Sequence, residues 1–361
     1  MKVGIYSPYL DTVGGGEKYM LTIAEELSRE NSVDILLDAH LKTLDIKTVL
    51  KKTVSLLNLD LENANFVNAP FGKGTNIWER LKFLKKYDIF FYLTDGSIFY
   101  SSAGLNILHI QSPIKVTNRS VWKKIKSSSW DLVIYNSQFT KSNCEKYWNI
   151  KSEVLYPPVS TEIFKQGKKK AQILTVGRFY GYLKDKKHAL MINAFKKMYD
   201  SEKIDNWSFH LAGGAGKGDD EYVKELQKLS EGYPIKIHPN LPFEELKSLY
   251  SESSIYWHAA GFGESDPSKM EHFGITTVES MASGCVPVVI NKGGQTEIVE
   301  QEKSGYLWDD PDDLIKKTLK LINDNDLWEK LSQSAIGRSK DFSKEKFVTK
   351  LGSIIKKYET S

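Results

Sequence analysis

The sequence predicts an α/β protein with two doubly wound domains, and three observations support this fold class. Short apolar runs rich in Val, Ile, Leu and aromatic residues alternate with longer amphipathic stretches, which is typical of βα units around a buried parallel sheet. This pattern occurs twice along the chain. The length of 361 residues also exceeds the size that one hydrophobic core usually supports.

The strands are expected where the apolar runs lie. In the first half these are residues 2–6, 33–37, 89–93, 105–110 and 132–135, with helices at 16–30 and 137–147. In the second half they are residues 173–176, 208–212, 235–237, 255–258 and 286–290. Ligands of such sheets bind beyond the carboxyl ends of the strands, so the residues after each strand are the candidates for function.

The domain boundary is predicted in the segment 156–170. Pro157 and Pro158 prevent a helix or a central strand from continuing, and Gly167 with the lysines at 168–170 is polar and flexible. We therefore expect an N-terminal domain at residues 1–160 and a C-terminal domain at residues 161–341. Apolar residues at helical spacing in 342–358 predict a last helix that packs back towards the first domain.

The composition excludes several protein classes. The hydrophobic fraction of 40% and charged fraction of 27% argue against a disordered chain, and no apolar run approaches the roughly 20 residues of a membrane-spanning helix. Cys144 and Cys285 lack CxxC spacing, which argues against a disulfide framework or zinc site and favours a cytoplasmic compartment. The first residues are typical of a strand entering a turn rather than of a signal peptide.

The formal net charge of +4 at pH 7 has three interpretations: an anionic substrate, an anionic membrane surface, or an ordinary lysine-rich surface. The segment from Arg119 to Trp130 mixes cations with Trp122 and Trp130, which is typical of an interfacial helix but also of a solvated one. No basic face with a known recognition motif is present, so we expect no nucleic-acid partner.

Two glycine-rich turns are candidates for anion binding. Gly14, Gly15 and Gly16 open a predicted helix, whose free N–H groups favour a phosphate. The GxGxxG fingerprint of dinucleotide-binding proteins would require a glycine at position 19, which is Tyr19. An oxidoreductase and a glycine turn that serves only packing remain alternatives here. The second turn, 213–218, does not fit a P-loop, because Gly218 stands where a Ser or Thr is needed.

Two carboxylates flank a predicted helix start in the second half. Glu271 precedes the helix that Gly274 is expected to open, and Glu279 lies about one and a half turns inside it. At about 1.5 Å rise per residue they would lie ~10 Å apart, which suits the sugar and the ribose of a nucleotide sugar. The helix N–H groups between them suit a diphosphate. The alternative is a loop acid and a solvated helix residue.

The two glutamates, with His272, Phe273, Gly274 and Ile275 between them, resemble the signature of glycosyltransferase family 4, retaining enzymes of the GT-B fold. The sequence of residues 271–275 is especially similar to that of mannosyltransferases of lipid-linked oligosaccharide assembly. Other segments that resemble this family cover nearly the whole chain: residues 14–17, His109 within 108–113, Asn136 and Ser137 with Thr140, residues 156–159, and Val176, Gly177 and Arg178 followed by Lys186.

The resemblance implies two Rossmann-like domains that face each other across a cleft. Arg178 follows a strand and Lys186 precedes a helix, so both also suit a diphosphate on their own chemistry, whereas Lys187 is expected to be solvated. The catalytic residues implied are His109, Glu271, Arg178 and Lys186. The donor-binding residues implied are Gly15, Gly16, Arg178, Lys186, Leu241, Phe273, Gly274, Ile275, Thr276 and Glu279, with Asn240 beside Leu241 near the base.

The implied reaction is transfer of a hexose, with mannose favoured, from a nucleotide sugar to a hydroxyl of a glycan or lipid-linked glycan. GDP-mannose is favoured over UDP-sugars as donor, and neither a metal ion nor another cofactor is expected. The expected location is the cytoplasm or the inner face of the membrane, with peripheral contact to anionic lipid. The alternative is a nucleotide-sugar-handling protein without transfer, such as an epimerase or a non-catalytic partner.

Overall fold

The computed structural model describes residues 1–11, 14–42, 59–72, 74–94, 96–114, 121–201 and 204–359, with the backbone alone for residues 42, 121–123 and 359. The chain forms two compact units. The first comprises Met1–Pro158 with Glu345–Ser361, and the second comprises Val159–Lys344. The sequence predicts the corresponding boundaries at residues 160 and 341.

The first unit contains a parallel sheet in the order β3-β2-β1-β4-β5-β6-β7. The strands are β1 (Lys2–Tyr6), β2 (Ser32–Leu37), β3 (Ala64–Asn68), β4 (Ile89–Leu93), β5 (Leu105–Ile110), β6 (Leu132–Tyr135) and β7 (Lys151–Val154). The described helices are α1 (Gly15–Leu27), α2 (Ala39–Lys42), α3 (Ile77–Leu84), α4 (Val121–Ser127) and α5 (Gln138–Cys144), followed by a 3₁₀ turn at Glu145–Tyr147.

The second unit contains a parallel sheet in the order β10-β9-β8-β11-β12-β13. The strands are β8 (Lys170–Val176), β9 (Ser208–Gly213), β10 (Ile235–Pro239), β11 (Ser253–His258), β12 (Val286–Ile290) and β13 (Tyr306–Trp308). The helices are α6 (His188–Ser201), α7 (Asp220–Ser230), α8 (Phe243–Glu252), α9 (Ile275–Ala282), α10 (Gln295–Ile298), α11 (Pro311–Asn323) and α12 (Asn325–Ser339). The 3₁₀ turns are Thr161–Ile163, Pro267–Lys269 and Lys340–Phe342, and the last helix is α13 (Lys344–Glu359).

Both faces of the first sheet are buried, because alternate strand residues point to opposite sides. Ile35 and Phe91 face a core that includes α1 and α13. Their chain neighbours Leu36 and Phe90 face a second core, which includes Leu84 of α3 and Trp130, which follows α4. Helix α3 and the segment that follows α4 therefore cover the side of the sheet opposite to α1 and α13.

The structure confirms an α/β protein with two doubly wound sheets. When the strands of each sheet are numbered in chain order, their spatial order begins 3-2-1-4-5-6. The chain therefore reverses direction across the sheet between β1 and β4 and between β8 and β11, and each of these positions is a topological switch point. All ten predicted strands are present, whereas β3, β7 and β13 are not predicted from the sequence. No helix in the described ranges is long and apolar enough to span a bilayer.

Candidate functional site

The switch point of the second sheet gathers the polar residues that the sequence singles out. β8 ends at Val176 and leads into Gly177 and Arg178, while the neighbouring β11 ends at His258. Lys186 lies over Gly177, since a Cβ built on Gly177 would be 2.9 Å from the Lys186 Cγ. Three polar side chains, those of Arg178, Lys186 and His258, thus lie at the carboxyl edge of this sheet, where doubly wound folds bind ligands.

Glu271 is the centre of this cluster. Its Oε2 accepts a hydrogen bond from the Lys186 Nζ at 2.7 Å and lies 3.1 Å from the His258 Nε2. The side chains of Lys186 and Glu271 are 23% and 21% exposed, and His258 is buried at 3%. The ion pair is therefore partly shielded from water but open on one side.

The charges in the cluster follow from this geometry. Burial raises the pKa of Glu271, but the Lys186 ammonium and the His258 ring hold it well below the usual value. Burial lowers the pKa of His258 more than Glu271 raises it, so the ring is neutral near pH 7. A neutral ring that donates from Nε2 has an unprotonated Nδ1, and this buried atom has no hydrogen-bond partner among the described residues.

The loop that carries Glu271 is held by a glycine pair after β12. The amide of Gly294 donates to the Glu271 carbonyl at 2.8 Å. A Cβ on Gly294 would overlap the Phe273 Cα and lie 2.7 Å from the His272 carbonyl oxygen, so only glycine fits without moving this loop. Gly293 also has a φ of 65°, which favours glycine. The position of Glu271 thus depends on two residues more than twenty positions away.

We predict that Gly294→Ala displaces this loop and lowers the stability of the second unit. A backbone overlap of this kind costs about 2 kcal/mol, or a Tm decrease of roughly 4–8 °C in a unit of this size. The matched control is Gly337→Ala in α12, because a Cβ there meets nothing within 4 Å. Thermal unfolding of both variants tests this, and an equal Tm for the two would contradict it.

The start of α9 provides free backbone donors next to Glu271. Gly274 is the N-cap residue with a φ of 121°, and the N–H groups of Ile275 and Thr276 precede the first helical hydrogen bonds. The positive end of the helix dipole therefore lies beside the cluster. Glu279 lies one turn further along α9, where its Oε2 accepts a hydrogen bond from the Tyr250 hydroxyl at 3.0 Å.

Arg178 and the second glycine-rich turn, residues 213–218, lie at the same carboxyl edge of the sheet, after β8 and β9. The Arg178 guanidinium lies 4.8 Å from the Tyr180 ring centroid and donates to its hydroxyl at 2.6 Å. A Cβ on Gly213 would overlap the Gly177 carbonyl, so this glycine permits close approach of the two loops. Asn240, beside the partly buried Leu241, holds the Ala215 amide and carbonyl with its side chain at 2.9 and 3.0 Å.

The remaining predicted residues lie in the first unit. His109 is buried at 1%, stacks on Tyr19 at 3.9 Å and donates from Nδ1 to the Ile134 carbonyl at 3.1 Å. Burial lowers its pKa to about 3, so the ring is neutral, and its Nε2 has no partner in the described part of the chain. Gly15 and Gly16 begin α1, and a Cβ on Gly16 would overlap the Gln111 amide.

Two sequence-based expectations are wrong. Lys187 is not solvated, because its Nζ pairs with Glu264 at 2.7 Å. Trp130 is 4% exposed and donates to the Phe99 carbonyl at 2.8 Å, so it belongs to the core and not to an interfacial face. Arg119 and the side chains of Trp122 and Lys123 lie outside the described residues. The Phe273 ring is 3% exposed and packs edge-on against the Phe342 ring at 5.5 Å.

Sequence reasoning missed the contribution of His258. The residue ends a buried strand at the same edge as Arg178, and that position was the available signal. Its partner Glu271 lies thirteen residues further on, and only the fold shows that the two side chains meet. Glu271 is thus a loop residue whose carboxylate is held by two partners.

Comparison with known proteins agrees with this geometry. Residues 159–338 match the family model described as glycosyl transferases group 1. The Xenopus laevis GDP-Man:Man(3)GlcNAc(2)-PP-Dol alpha-1,2-mannosyltransferase is 30% identical over 270 residues, which cover 70% of this chain and 47% of that protein. A Dictyostelium discoideum alpha-1,3/1,6-mannosyltransferase is 28% identical over 259 residues, covering 63% of this chain and 61% of that one. This chain thus spans about half the length of the Xenopus relative.

The fold has solved counterparts as well. The crystal structure of Anabaena HepE in complex with UDP and glucose superposes with a TM-score of 0.70 over 99% of this chain and 100% of that one, at 16% identity. The two sheets, the site at the end of β8 and β11 and the match over residues 159–338 lead to one conclusion: the chain has the GT-B fold and belongs to the glycosyl transferases of group 1.

Proposed function

We propose that this protein is a retaining hexosyltransferase that moves mannose from GDP-mannose to a hydroxyl of a lipid-linked glycan, without a metal ion. The observation that carries the proposal is the anchored carboxylate of Glu271 beside the start of α9. The names of the Xenopus and Dictyostelium relatives, which both describe mannosyltransferases, support mannose as the sugar.

Glu271 holds the hydroxyls of the donor sugar in this proposal. Lys186 and His258 both contact Oε2, so Oε1 has no hydrogen-bond partner among the described residues and accepts from the sugar. Because the carboxylate is fixed from one side, it needs no reorganisation when the substrate binds. His258 is a positioning residue, since it acts through Glu271.

The departing diphosphate is bound by the positively charged and N–H groups of the site. Arg178, Lys186 and the N–H groups of Ile275 and Thr276 supply donors and positive charge to the departing phosphate. The acceptor hydroxyl attacks the anomeric carbon from the same face, the bond to the phosphate oxygen breaks, and that phosphate takes the hydroxyl proton. His109 with Gly15 and Gly16 serves the donor or acceptor from the first unit.

Glu279 binds the ribose hydroxyls, and we predict that Glu279→Ala weakens donor binding about tenfold to a hundredfold. Hydrogen bonds to a charged acceptor contribute roughly 1.5–3 kcal/mol, which corresponds to that change in Kd. Calorimetric titration with GDP and with GDP-mannose measures it. Tyr250→Phe is the matched control, because it removes the 3.0 Å contact to Glu279 but keeps the carboxylate. An unchanged Kd in Glu279→Ala removes this residue from the ribose role.

The function is tested by incubating the protein with GDP-mannose, UDP-glucose or UDP-N-acetylglucosamine, with and without a dolichol- or polyprenol-linked glycan. We expect free GDP to be released rapidly from GDP-mannose when the acceptor is present. Product analysis by NMR then gives the anomeric configuration, and EDTA tests the metal requirement. No release from any donor excludes the transferase. Conversion of the sugar without transfer supports an epimerase instead.

The proposed place of this reaction is the cytoplasmic face of a membrane. Cys144 and Cys285 are both buried and unpaired, as in proteins of reducing compartments. A lipid-linked acceptor also requires that the enzyme reach the bilayer surface. Fractionation of cells with and without a high-salt wash tests peripheral attachment.

A further inference from the structure

The helical layer formed by α3, α4 and the loop 98–102 exposes an unusual set of apolar side chains. Trp78 is 76% exposed, Ile77 48%, Ile125 44% and Tyr100 39%. They belong to elements whose neighbouring residues Phe83, Phe99 and Trp130 pack in the second core, on the side of the first sheet opposite to α1 and α13. Single exposed apolar residues are ordinary, but four on one layer indicate a surface that is covered by something apolar.

The loop 98–102 connects the two helices into one surface. The Ser102 hydroxyl donates to the Leu81 carbonyl in α3 at 2.6 Å. The adjacent Ser101 amide donates to the hydroxyl of Ser129, in the segment after α4, at 2.9 Å. Helices α3 and α4 with residues 98–102 between them are called the α3–α4 surface below.

Exposed lysines are interspersed with these apolar residues. Lys82 and Lys85 lie on and just after α3, and Lys124 and Lys126 lie on α4. No described carboxylate lies within ion-pair distance of any of the four. The Lys86 ammonium lies 3.9 Å from the Phe83 ring centroid. The acid exposed on α3 is Glu79, and α4 carries none, so the α3–α4 surface has a net positive charge.

We propose that the α3–α4 surface docks on an anionic lipid bilayer. Trp78 and Ile77 enter the headgroup region, where indole and aliphatic side chains are favoured, and the unpaired lysines bind lipid phosphates. Charge complementarity selects this occupant, because four ammonium groups that have no carboxylate partner among the described residues match a negatively charged surface. The site differs from the segment Arg119 to Trp130 predicted from sequence, since Trp130 is in the core.

Vesicle sedimentation tests the proposal with the whole protein. Phosphatidylcholine vesicles with about 30% phosphatidylglycerol are expected to bind it, while pure phosphatidylcholine vesicles bind it at least tenfold less. Because salt screens surface charges within about 3 Å at 1 M, high salt should release it. Equal partitioning to both vesicle types, or none to either, overturns the proposal and leaves a protein partner as the occupant of this surface.

Matched variants locate the contact. Trp78→Ala and the double variant Lys82→Glu/Lys85→Glu are each expected to lower the partition coefficient about tenfold. The controls in the second unit are Tyr182→Ala, an aromatic residue that is 80% exposed, and Lys224→Glu/Lys228→Glu on the exposed side of α7. Binding that falls equally in the controls contradicts the assigned surface.

The proposal stands apart from the transferase activity and can fail separately. Release of GDP with a water-soluble acceptor is expected to be unchanged in Trp78→Ala, because Trp78 belongs to the first unit, whereas the Glu271 cluster belongs to the second. Loss of vesicle binding with retained release supports a docking surface. Loss of release in this variant, measured at an unchanged Tm, assigns Trp78 to the reaction and overturns its docking role.

Discussion

Glu271→Gln is expected to lower kcat by about 10²–10³-fold while the protein remains folded. Glutamine keeps the shape of the side chain but removes the charge that orients it against Lys186 at 2.7 Å and His258 at 3.1 Å. Loss of one preorganised group that contacts the reacting sugar typically costs roughly 3–4 kcal/mol of transition-state stabilisation, which is the basis of this range.

The cost to stability is smaller, because the pair is partly solvated. Removing one member of a fully buried ion pair costs about 3–5 kcal/mol. Lys186 and Glu271 are 23% and 21% exposed, so water compensates the remaining charge and we expect roughly 1–2 kcal/mol. A Tm decrease of several degrees is therefore compatible with a specific effect on catalysis.

Glu264→Gln is the matched control. Glu264 pairs with Lys187 at 2.7 Å, and these two side chains are 24% and 25% exposed, so the control loses an ion pair of the same length and similar exposure. Steady-state rates of GDP release and thermal unfolding are measured for both variants. The role of Glu271 is refuted if both variants lose kcat by the same factor.

The strands that the sequence failed to predict show where its information ends. β3 and β7 are the two edges of the first sheet, and β13 is an edge of the second. Central strands are buried on both faces and read as continuous apolar runs, whereas β3 (ANFVN) and β7 (KSEV) are polar and partly exposed. β13 has three residues. Edge strands are fixed by pairing with a neighbour, which no local pattern records.

The same distinction holds for the site. Glu271, Lys186 and Arg178 were predictable because each follows a strand or precedes a helix and carries the charge that the chemistry needs. His258 and Gly294 were not, since a histidine at a strand end and a glycine in a turn have many ordinary explanations. Their importance comes from contacts with Glu271 across distant chain positions, and those contacts exist only in the folded protein.

The second unit is expected to lose at least about 4 kcal/mol of stability between pH 7.5 and pH 5, at least twice the loss of the first unit. Burial, together with nearby positive charges, lowers the pKa of His188 to about 3 and that of His210 to about 4. In the first unit, burial lowers the pKa of His109 to about 3. The unfolded chain binds protons on all three rings below its histidine pKa of roughly 6.5, whereas the folded protein does not.

The sign follows directly from this difference in bound protons. A folded pKa below the unfolded one gives stability that is complete above about pH 6.5 and is lost as the pH falls towards the folded value. At pH 5 each ring contributes a loss of about 2 kcal/mol, since 1.5 pH units below 6.5 correspond to that free energy. His258 and His238 act in the same direction, because burial also lowers their pKa values.

Urea unfolding at about pH 7.5, 6.5, 5.5 and 5.0 measures this loss, with a tryptophan probe in each unit to separate the transitions. His188→Gln is expected to reduce the pH slope of the second unit by up to ~1.4 kcal/mol per pH unit, since one proton is no longer taken up on unfolding. His40→Gln is the control, because the His40 side chain is 62% exposed, whereas the His188 ring is buried. Equal slopes in wild type and His188→Gln would mean that His188 is already protonated in the fold. The structure argues against a protonated His188. Its ring is buried between Phe179 and Tyr222, and its Nε2 has no hydrogen-bond partner among the described residues, so no described carboxylate is close enough to compensate a positive charge there.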